Sequence, residues 1–542
     1  MDRVTGDAPA PAVEPVLPDS AQRERVQVAR AAGVLMLGVV LSRVLGLVRE
    51  QVTSYFWGTG DAVAAFTIAD NVHTMLFDLV ISGMLQAALV PVLSAYAERR
   101  EELREIVGAL LVWVVLVVGG IVGLVVVAAP QVVRAMTVLG GGEAARGAET
   151  FQLTVQLVRL IVPAVFLLAV STVLMATLYA LQRFTQPSLA LSVRNLAIVA
   201  CALLLGRALG IASLVLGVLL GALGLVVLQL WGLRDALPKP TLRLWHPAIR
   251  RVFLLYLPIF LGLFANTVAL VIDRNLAWGV DPHALGAMRY ATALNQMILG
   301  LVAAATSLAA LPTLSRHAAA GDEHAYQRTL SLGLKFVALL IFPATFGMAA
   351  LGWPIVTLLF YHGATDLEGA RAIWVALLGY LPGTLFAAFD QVLIFAAYAR
   401  QNTRLPVLVG VFSVGVYFAV ALVLVRPLGM LGLVLGNTAQ FVAHTFVMWL
   451  VLRRWLGRVG DGTVARTVGA AGIGSLLMAV VVTGITLVLI QWAPPEHRSL
   501  AVRTGIVAVG LLVGVVVYVF MLRRSAVPEF QFLVRALRAR FA

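Results

Sequence analysis

Residues 31–50 read AAGVLMLGVVLSRVLGLVRE, an apolar run that ends in two arginines and a glutamate. A hydrocarbon core about 30 Å thick needs roughly 20 apolar residues per helical span, and this stretch has that length. Ionisable groups inside such a helix are costly, and they usually face a water-filled interior and mark a pathway. The stretch therefore predicts a membrane helix in which Arg43 and Arg49 act on something that enters the protein.

The composition of the whole chain also indicates a membrane protein. Of its 542 residues, 61% are hydrophobic and 12% are charged. A soluble protein of this length needs more polar residues to cover its surface. The apolar runs are continuous, whereas the strands of a membrane β-barrel alternate in hydrophobicity. We predict an all-α integral membrane protein.

Charged loops and loops marked by proline or glycine divide the apolar runs into about fourteen predicted membrane helices. Several runs exceed the minimum length, so we expect tilted helices or helices that extend beyond the membrane. The approximate limits are 29–56, 62–96, 104–129, 152–181, 187–208, 210–233, 249–278, 284–315, 326–351, 368–399, 405–425, 429–452, 465–492 and 499–522.

Basic residues are concentrated in alternate loops of this arrangement. They are frequent in the loops 98–105, 234–251 and 453–466, and rare in the loops 57–61 and 493–498. The positive-inside rule therefore predicts that both termini are cytoplasmic. Because the net charge of +14 is spread over short loops, we expect no nucleic-acid partner.

The two ends of the chain differ from the spans. Residues 1–28 are rich in proline, alanine and acids, which favours a disordered cytoplasmic tail. Residues 523–542 are basic and amphipathic, and we expect this tail to lie on the inner leaflet.

Two pairs of similar segments suggest an internal repeat. LVPVLSAYAERR resembles LPTLSRHAAAGD, which places Pro312 at 221 residues after Pro91. YALQRFTQP resembles YARQNTRLP, which places Pro406 at 219 residues after Pro187. The nearly equal spacings predict two homologous halves.

The repeat predicts two pseudo-symmetric six-helix lobes in parallel orientation, followed by two further helices. Parallel repeats related about the membrane normal are a transporter arrangement, in which the substrate is handled between the halves. The predicted divisions are an N-lobe over 29–233, a C-lobe over 249–452 and a helix pair over 465–522.

The second predicted span carries Asp70, His73 and Asp78. Asp70 and His73 share a helix face, because they are three residues apart. These acids either neutralise the arginines of the first span or bind a coupling ion, and neutralisation is favoured because an unpaired buried charge is so costly. An alternative for Arg49 and Glu50 is that both side chains extend to the outer interface.

Further charges are embedded in later spans. Asp273 and Arg274 are adjacent in the seventh span, so they point about 100° apart and should need other partners. Arg194 and Asp390 also lie within spans. No phosphate-binding loop, metal-ligand spacing or nucleophilic triad is present, so we expect no enzyme, cofactor or metal site. The single cysteine, Cys201, is interpreted as a packing residue.

Several motifs resemble those of one transporter family. SRVLGLVRE, FWGTGDAVAAF and GMLQAALVPVLSAY are similar to the opening of the MurJ/MviN lipid II flippases, which belong to the multidrug/oligosaccharidyl-lipid/polysaccharide exporter superfamily. VIDRNLA, ALPTLS, FYHGATD and YARQNTRLP continue the likeness over about the first 450 residues. The resemblance implies fourteen helices in two lobes plus a final pair.

The resemblance also implies a function. It implies a flippase of the bacterial inner membrane that moves lipid II, a polyprenyl-pyrophosphate-linked peptidoglycan precursor, from the inner to the outer leaflet by alternating access. Its partners would be this lipid-linked substrate and the membrane lipids. Arg43 and Arg49 match the family's cavity arginines, thought to hold the pyrophosphate. A guanidinium fork is suited to that task, because it binds phosphate oxygens through two parallel hydrogen bonds.

This chain departs from the family at four cavity positions. The family's aspartate, arginine and glutamate of the second helix and arginine of the eighth helix are replaced. The replacements are Ala64, Phe77, Ser82 and Ala293. Three explanations stay open: Arg194 and Arg289 replace the lost charges, the substrate is another lipid-linked glycan or amphipathic molecule, or the protein is a non-transporting scaffold for envelope synthesis.

The resemblance leaves the energy source open. Asp273 matches an acidic residue implicated in sodium binding in some relatives, but the matching positions of the eleventh helix are Phe418 and Leu422. Asn437 is the other polar candidate for binding a monovalent cation, and the membrane potential is an alternative driving force. The residues that could neutralise charge or couple an ion are Asp70, Asp78, Asp273, Asp390 and Asn437.

Overall fold

The computed structural model describes residues 38, 40–79, 88–239, 241, 245–457, 459–491, 499–525 and 528–531. These residues form helices and turns, with no strand among them, which confirms the predicted all-α fold. Ten helical stretches of this described part are long and apolar enough to cross a membrane. The predicted tail over 1–28, position Ser82 and most of the tail over 523–542 lie outside the described residues.

The first ten helices, which we call the N-half, precede a loop that reaches residue 246. The Val114–Val118 π-helical turn joins α4 to α5. The helices are α1 (40–57), α2 (Asp61–Phe77), α3 (Val90–Ser94), α4 (Arg100–Trp113), α5 (Gly119–Val127), α6 (Ala129–Thr137), α7 (Gly142–Ile161), α8 (Pro163–Ala180), α9 (Thr185–Leu209) and α10 (Ala212–Gly232).

The next six helices, which we call the C-half, are followed by a final pair. Prolines lie inside α13, α14 and α15, where neighbouring helices of a membrane bundle can satisfy the freed backbone groups. The helices are α11 (Pro247–Trp278), α12 (Ala284–Ala319), α13 (Glu323–Leu359), α14 (Leu367–Ala399), α15 (Arg404–Leu428), α16 (Met430–Leu456), α17 (Val464–Gln491) and α18 (Leu500–Arg524).

Each predicted span contains one or two of these helices, but some limits differ. The α7 range begins at Gly142 rather than near residue 152, because a short polar segment precedes a kink at Gly147, where the backbone is non-helical (φ 84°, ψ 161°). Helix α13 continues to Leu359, beyond the predicted end at 351. The sequence pattern missed α6, a short amphipathic helix that buries Val133 and Met136.

The backbone repeats at the spacing of the sequence repeat. Among the described residues, Gln182 and Gln401 are the non-glycine residues with positive φ, at 57° and 59°. Each stands in the turn before a helix whose third residue is a proline, Pro187 in α9 and Pro406 in α15. The two turns therefore have the same unusual conformation 219 residues apart.

A second pair of turns has the same spacing. Gly210 and Gly429 have φ of 54° and 57° with ψ of −146° and −130°, a conformation that L residues with side chains rarely adopt. Gly210 ends α9 before α10, and Gly429 ends α15 before α16. The α9–α10 hairpin is thus repeated as the α15–α16 hairpin, which supports the predicted repeat.

Glycines allow close helix packing inside each half. A Cβ atom at Gly217 of α10 would lie 2.5 Å from the Cα atom of Ile198 in α9. Small residues at such contacts let helix backbones approach, which is a main source of attraction between helices in lipid. The main contacts of the C-half join α12 to α14, α14 to α16 and α15 to α16.

The final helix pair packs on α13. The Tyr518 hydroxyl donates a hydrogen bond to the Leu339 backbone oxygen at 2.9 Å. The Lys335 ammonium lies 3.0 Å from carboxylate oxygens of both Asp461 and Glu529. The C-half and the final pair are therefore joined by polar contacts as well as by apolar packing.

Replacement of Gly217 tests the close packing of α9 on α10. We expect Gly217→Leu to lower the free energy of unfolding by about 1–3 kcal/mol, because the new side chain meets the α9 backbone. Thermal unfolding of the purified protein in detergent measures the effect. Gly120→Leu is the matched control, since a Cβ at that exposed glycine of α5 meets no atom within 4 Å. Equal stability of the two variants would contradict the packing argument.

Candidate functional site between the two halves

A buried carboxylate of α1 holds two arginines. Glu50 is 2% exposed, and its Oε1 atom accepts a hydrogen bond from Arg49 Nη2 at 2.6 Å. Arg289 of α12 donates to the same carboxylate from Nε at 2.8 Å and from Nη2 at 3.1 Å. Its Nη1 atom also donates to Asp70 of α2, at 2.8 Å, and its guanidinium lies 4.9 Å from the centre of the Phe66 ring. One arginine of the C-half is thus bound by two acids of the N-half.

These contacts decide between the alternatives left by the sequence. Glu50 does not reach the outer interface, because both of its oxygens are held by guanidinium groups inside the protein. The partner of Asp70 is Arg289 rather than an arginine of the first helix. His73 lies 3.7 Å from Asp70 on the shared helix face. The sequence pattern missed Glu50 because its principal partner is 239 residues away.

Arg43 spans the two halves with neutral partners. Its Nη1 atom donates to the backbone oxygen of Gln296 at 3.1 Å and lies 3.5 Å from the side-chain oxygen of the same residue. A Cβ atom at Gly300 would lie 3.1 Å from Arg43 Nε, so this glycine of α12 leaves room for the guanidinium. Because its hydrogen-bond partners are uncharged, Arg43 keeps its positive charge available.

Arg194 stands next to the same group on α9. Its Nε atom is buried and has no hydrogen-bond partner among the described residues. Its charge interacts with those of Arg49, Asp70 and Asp78. The neighbouring Asn195 accepts from Arg49 Nη1 at 3.4 Å and donates to the Ser42 backbone oxygen at 3.1 Å.

We call this group the arginine cluster. Its four arginines and three acids leave one positive charge. Among the described residues, Arg194 Nε has no hydrogen-bond partner and Arg43 has uncharged partners, whereas Arg49 and Arg289 are held in place by acids. The members are Arg43, Arg49, Arg194, Arg289, Glu50, Asp70 and Asp78.

A polar cavity of about 270 Å³ is lined by residues of the C-half, among them Asp273, Asn437 and Gln296, the hydrogen-bond partner of Arg43. The Tyr417 hydroxyl donates a hydrogen bond to the Asp273 carboxylate. Tyr417 is thus a partner of Asp273 other than its neighbour, as expected. Arg274 Nη1 lies 3.4 Å from Asp273 but makes no hydrogen bond among the described residues. A cation at Asp273 would compete with this guanidinium, and cation coupling stays a prediction.

The remaining candidate, Asp390, is in neither group. It lies on α14 and contacts His444 of α16, with Oδ1 and Nδ1 2.7 Å apart. The structure therefore divides the residues predicted from the sequence among three places: the arginine cluster, the Asp273 cavity and the Asp390 pair.

The two halves are joined at one end of the bundle. Arg146 at the start of α7 contacts Asp61 at 2.6 Å and donates to the backbone oxygens of Trp278, Asp281 and Pro282 at 2.8, 2.8 and 3.1 Å. We call this the closed end. The Asp61 contact lies within the N-half, whereas movement of the halves apart would break the three bonds to backbone oxygens of the C-half.

Further bonds at the closed end link α1 to the C-half. The Ser54 and Thr365 hydroxyl oxygens are 2.6 Å apart, and Thr365 also donates to the Ser54 backbone oxygen at 3.0 Å. The Tyr290 hydroxyl donates to the Gly58 backbone oxygen at 2.8 Å. The halves are therefore held together by many directional bonds.

A family model described as "Lipid II flippase MurJ" matches residues 53–529. The chain belongs to the MurJ lipid II flippase family. The probable lipid II flippase MurJ of Treponema pallidum is 26% identical over 437 residues, which cover 78% of this chain and 81% of that protein. The lipid II flippase MurJ of Burkholderia cenocepacia is 27% identical over 433 residues, which cover 77% and 82%.

Solved structures show the same MurJ fold. A lipid II flippase MurJ in an inward closed conformation matches with a TM-score of 0.74 and 18% identity, over 90% of this chain and 97% of that chain. An inward-facing multidrug resistance transporter of the MATE family matches with a TM-score of 0.66 and 16% identity, over 79% and 98%. The protein is thus a multi-pass membrane protein with the architecture of the superfamily predicted from the sequence.

The contact between Glu50 and Arg289 can be measured with a double-mutant cycle. We expect Glu50→Gln and Arg289→Met each to lower the free energy of unfolding, by up to about 3–5 kcal/mol, because each removes one member of a buried ion-pair network. Arg289 keeps Asp70 in the first variant, and Glu50 keeps Arg49 in the second. The double variant should lose less than the sum, and thermal unfolding in detergent gives all four values.

The exposed pair of Arg99 and Glu102 provides the control for this cycle. Their side chains are 66% and 32% exposed and 2.8 Å apart. Arg99→Met should cost no more than about 1 kcal/mol, because water screens an exposed pair. Strict additivity of the Glu50 and Arg289 variants would contradict the proposed role of the buried pair.

Proposed function

We propose that this protein is a lipid II flippase that moves the polyprenyl-pyrophosphate-linked precursor from the inner to the outer leaflet. The match of the family model over most of the chain and the relatives named lipid II flippases support this function. The observation that carries it is the arginine cluster, because it offers a net positive charge between two halves of a transporter fold. The protein transports the lipid without catalysing a reaction.

In this proposal the substrate pyrophosphate binds Arg43 and Arg194 first. Arg43 has neutral partners and Arg194 Nε has none among the described residues, so both guanidinium groups gain charge-assisted hydrogen bonds from an anion. Arg49 then contributes its Nη1 atom, which already makes a weak 3.4 Å contact with Asn195. Arg289 mainly positions the cluster, since Glu50 and Asp70 already occupy its donors.

Alternating access requires the closed end to open and close. We place the protein in the bacterial inner membrane with both termini in the cytoplasm, following the loop charges, so the closed end faces outward. Binding of the anion releases Arg43 from Gln296 and so removes one contact between the halves. Rupture of the Arg146 bonds to the backbone of residues 278–282 and of the Ser54 contact would then open the outer side.

A non-transporting scaffold is the second candidate. It is favoured by the loss of family charges inside the cavity: Ala64 is fully buried and Phe77 packs on the core, so neither offers a polar group to a substrate. The retained arginine cluster opposes it, because a scaffold has no need for arginines within the membrane. A flipping assay separates the two functions, and the lipid that is flipped identifies the substrate among lipid-linked glycans.

Substitution of Arg43 tests the head-group role. We expect transport in the order wild type, Arg43→Lys, Arg43→Ala, because lysine keeps the charge but loses the two-pronged contact. Loss of charge-assisted hydrogen bonds worth about 1.5–3 kcal/mol corresponds to roughly 10- to 100-fold weaker binding in the alanine variant. The assay is flipping of a pyrophosphate-linked lipid in proteoliposomes. Arg207→Ala, at an exposed position of α9, is the control, and full activity of Arg43→Ala would exclude the role.

A crosslink tests alternating access at the closed end. Cysteines in place of Ser54 and Thr365, in a Cys201→Ser background, should form a disulfide, since the present hydroxyl oxygens are 2.6 Å apart. We expect oxidation to stop flipping and a reductant to restore it. The single Ser54→Cys variant should be insensitive to the oxidant. Undiminished flipping by the fully crosslinked protein would show that the halves need not separate there.

A further inference from the structure

A histidine and an aspartate form a buried pair in the C-half. His444 of α16 and Asp390 of α14 have side chains that are 11% and 8% exposed, and Nδ1 lies 2.7 Å from Oδ1. The other ring nitrogen, Nε2, lies 3.4 Å from the backbone oxygen of Pro406 in the first turn of α15. The imidazole therefore contacts three helices at once.

Both ring nitrogens of His444 face oxygen acceptors. A neutral imidazole carries one N–H and cannot donate in both directions, whereas an imidazolium can. If the aspartate instead holds a proton and donates it to Nδ1, the pair still contains one proton more than a neutral histidine beside a carboxylate. An extra proton therefore satisfies both contacts in either arrangement, and it turns the long 3.4 Å contact with Pro406 into a donor–acceptor pair.

We propose that His444 and Asp390 form a proton-binding site that holds the start of α15 against α14 and α16. When the proton leaves, Nδ1 keeps its hydrogen bond to Asp390, and the Nε2 lone pair then faces the Pro406 oxygen. Two acceptors repel each other, so the α15 contact weakens. The contact is favoured at low pH and is lost as pH rises through the titration of the pair.

The contacts around the pair indicate that loss of the proton weakens the packing of α15 rather than that of α14 on α16. Thr445, beside His444, donates to the Phe386 backbone oxygen at 3.0 Å, and this bond between α16 and α14 does not depend on a proton. On α15, Gly410 lies opposite the ring, and a Cβ there would be 3.9 Å from Nε2. The imidazole can therefore reach the backbone of α15, which contributes no competing side chain at this point.

Few other charges act on the pair. On α14, the titratable side chain that interacts with the charge of Asp390 is Tyr398. Arg400 follows α14 and pairs with Glu323, away from the histidine. Among the described residues, the groups that act on His444 are Asp390 and the Pro406 carbonyl of α15.

His444 lies one helical turn beyond the last residue of α16 that lines the polar cavity. Asn437, Gln440 and His444 follow the i, i+3, i+7 spacing of one face of α16, and the first two line the cavity that contains Asp273. Tyr417 of α15 lies in the same cavity. Movement of α15 would therefore change the C-half cavity, and, where the proposed flippase function holds, the rate of flipping would depend on pH.

The proton site is tested first without transport. Thermal unfolding of the purified full chain in detergent is followed between about pH 5 and pH 8.5, the range in which histidines titrate. Relative to His444→Gln, the wild type should lose up to about tenfold in its folding equilibrium constant per pH unit across the titration, as expected for one proton. His324→Gln, at an exposed position, should behave as the wild type. Equal pH dependence of the wild type and His444→Gln would overturn the proposal.

Asp390→Asn provides a second variant that conserves shape. Asparagine can accept from Nδ1 but cannot stabilise the imidazolium by charge, so the midpoint of the pH effect should move to lower pH. An unchanged midpoint would show that the two residues do not titrate together. Backbone hydrogen exchange of residues 404–413 is measured and corrected for the intrinsic exchange rate at each pH. The corrected rate should increase at high pH in the wild type and should not depend on pH in His444→Gln.

The link to transport is measured separately with the same variants. Flipping of a pyrophosphate-linked lipid in proteoliposomes should depend on pH in the wild type more than in His444→Gln. If stability titrates but flipping does not, the proton site stands and its coupling to transport is wrong. If no protein flips the lipid while stability still titrates, the proposed flippase function fails and the proton site stands.

Discussion

The ion pairs of Arg289 with Glu50 and Asp70 are the contact on which the centre of the molecule depends. A charge buried without a partner would destabilise the fold strongly, so the C-half must approach the N-half closely enough for α12 to meet α1 and α2. Arg49 also pairs with Glu50, so the arginines of the cluster that pair with neither Glu50 nor Asp70 are Arg43 and Arg194. The same contacts that stabilise the closed arrangement therefore also create the anion site.

This arrangement connects stability with transport. Bonds between the halves are numerous at the closed end, and most of them involve single hydrogen bonds to backbone oxygens, as for Arg146. Such bonds can be exchanged for water when the halves separate, so each contributes little net free energy. The buried ion pairs are more costly to break, because separated charges would need new partners. An anionic substrate can supply such a partner for the arginines, which favours a cycle that proceeds only when substrate is bound.

The two halves share a backbone repeat and differ in chemistry. The turns at Gln182 and Gln401 have the same conformation, although the helices that follow carry different polar residues. The N-half concentrates arginines at the interface, whereas the C-half places Asp273, Asp390 and His444 among its own helices. The repeated hairpin places the helices of both halves in equivalent positions. The helices pack through their small residues, so side chains elsewhere on each helix can differ between the halves.

The sequence by itself determined the membrane location, the helical class and nearly all of the helices, because hydrophobicity and loop charge are local properties of the chain. It also identified Arg43, Arg49 and Asp70 as costly charges in need of an explanation. Only the tertiary structure decided which charges meet. Glu50 and Arg289 are 239 residues apart, and Asp390 and His444 are 54 apart. Their contacts depend on how helices rotate and pack, and no residue spacing specifies that. The hydrogen bond from Tyr417 to Asp273, 144 residues apart, shows the same limit.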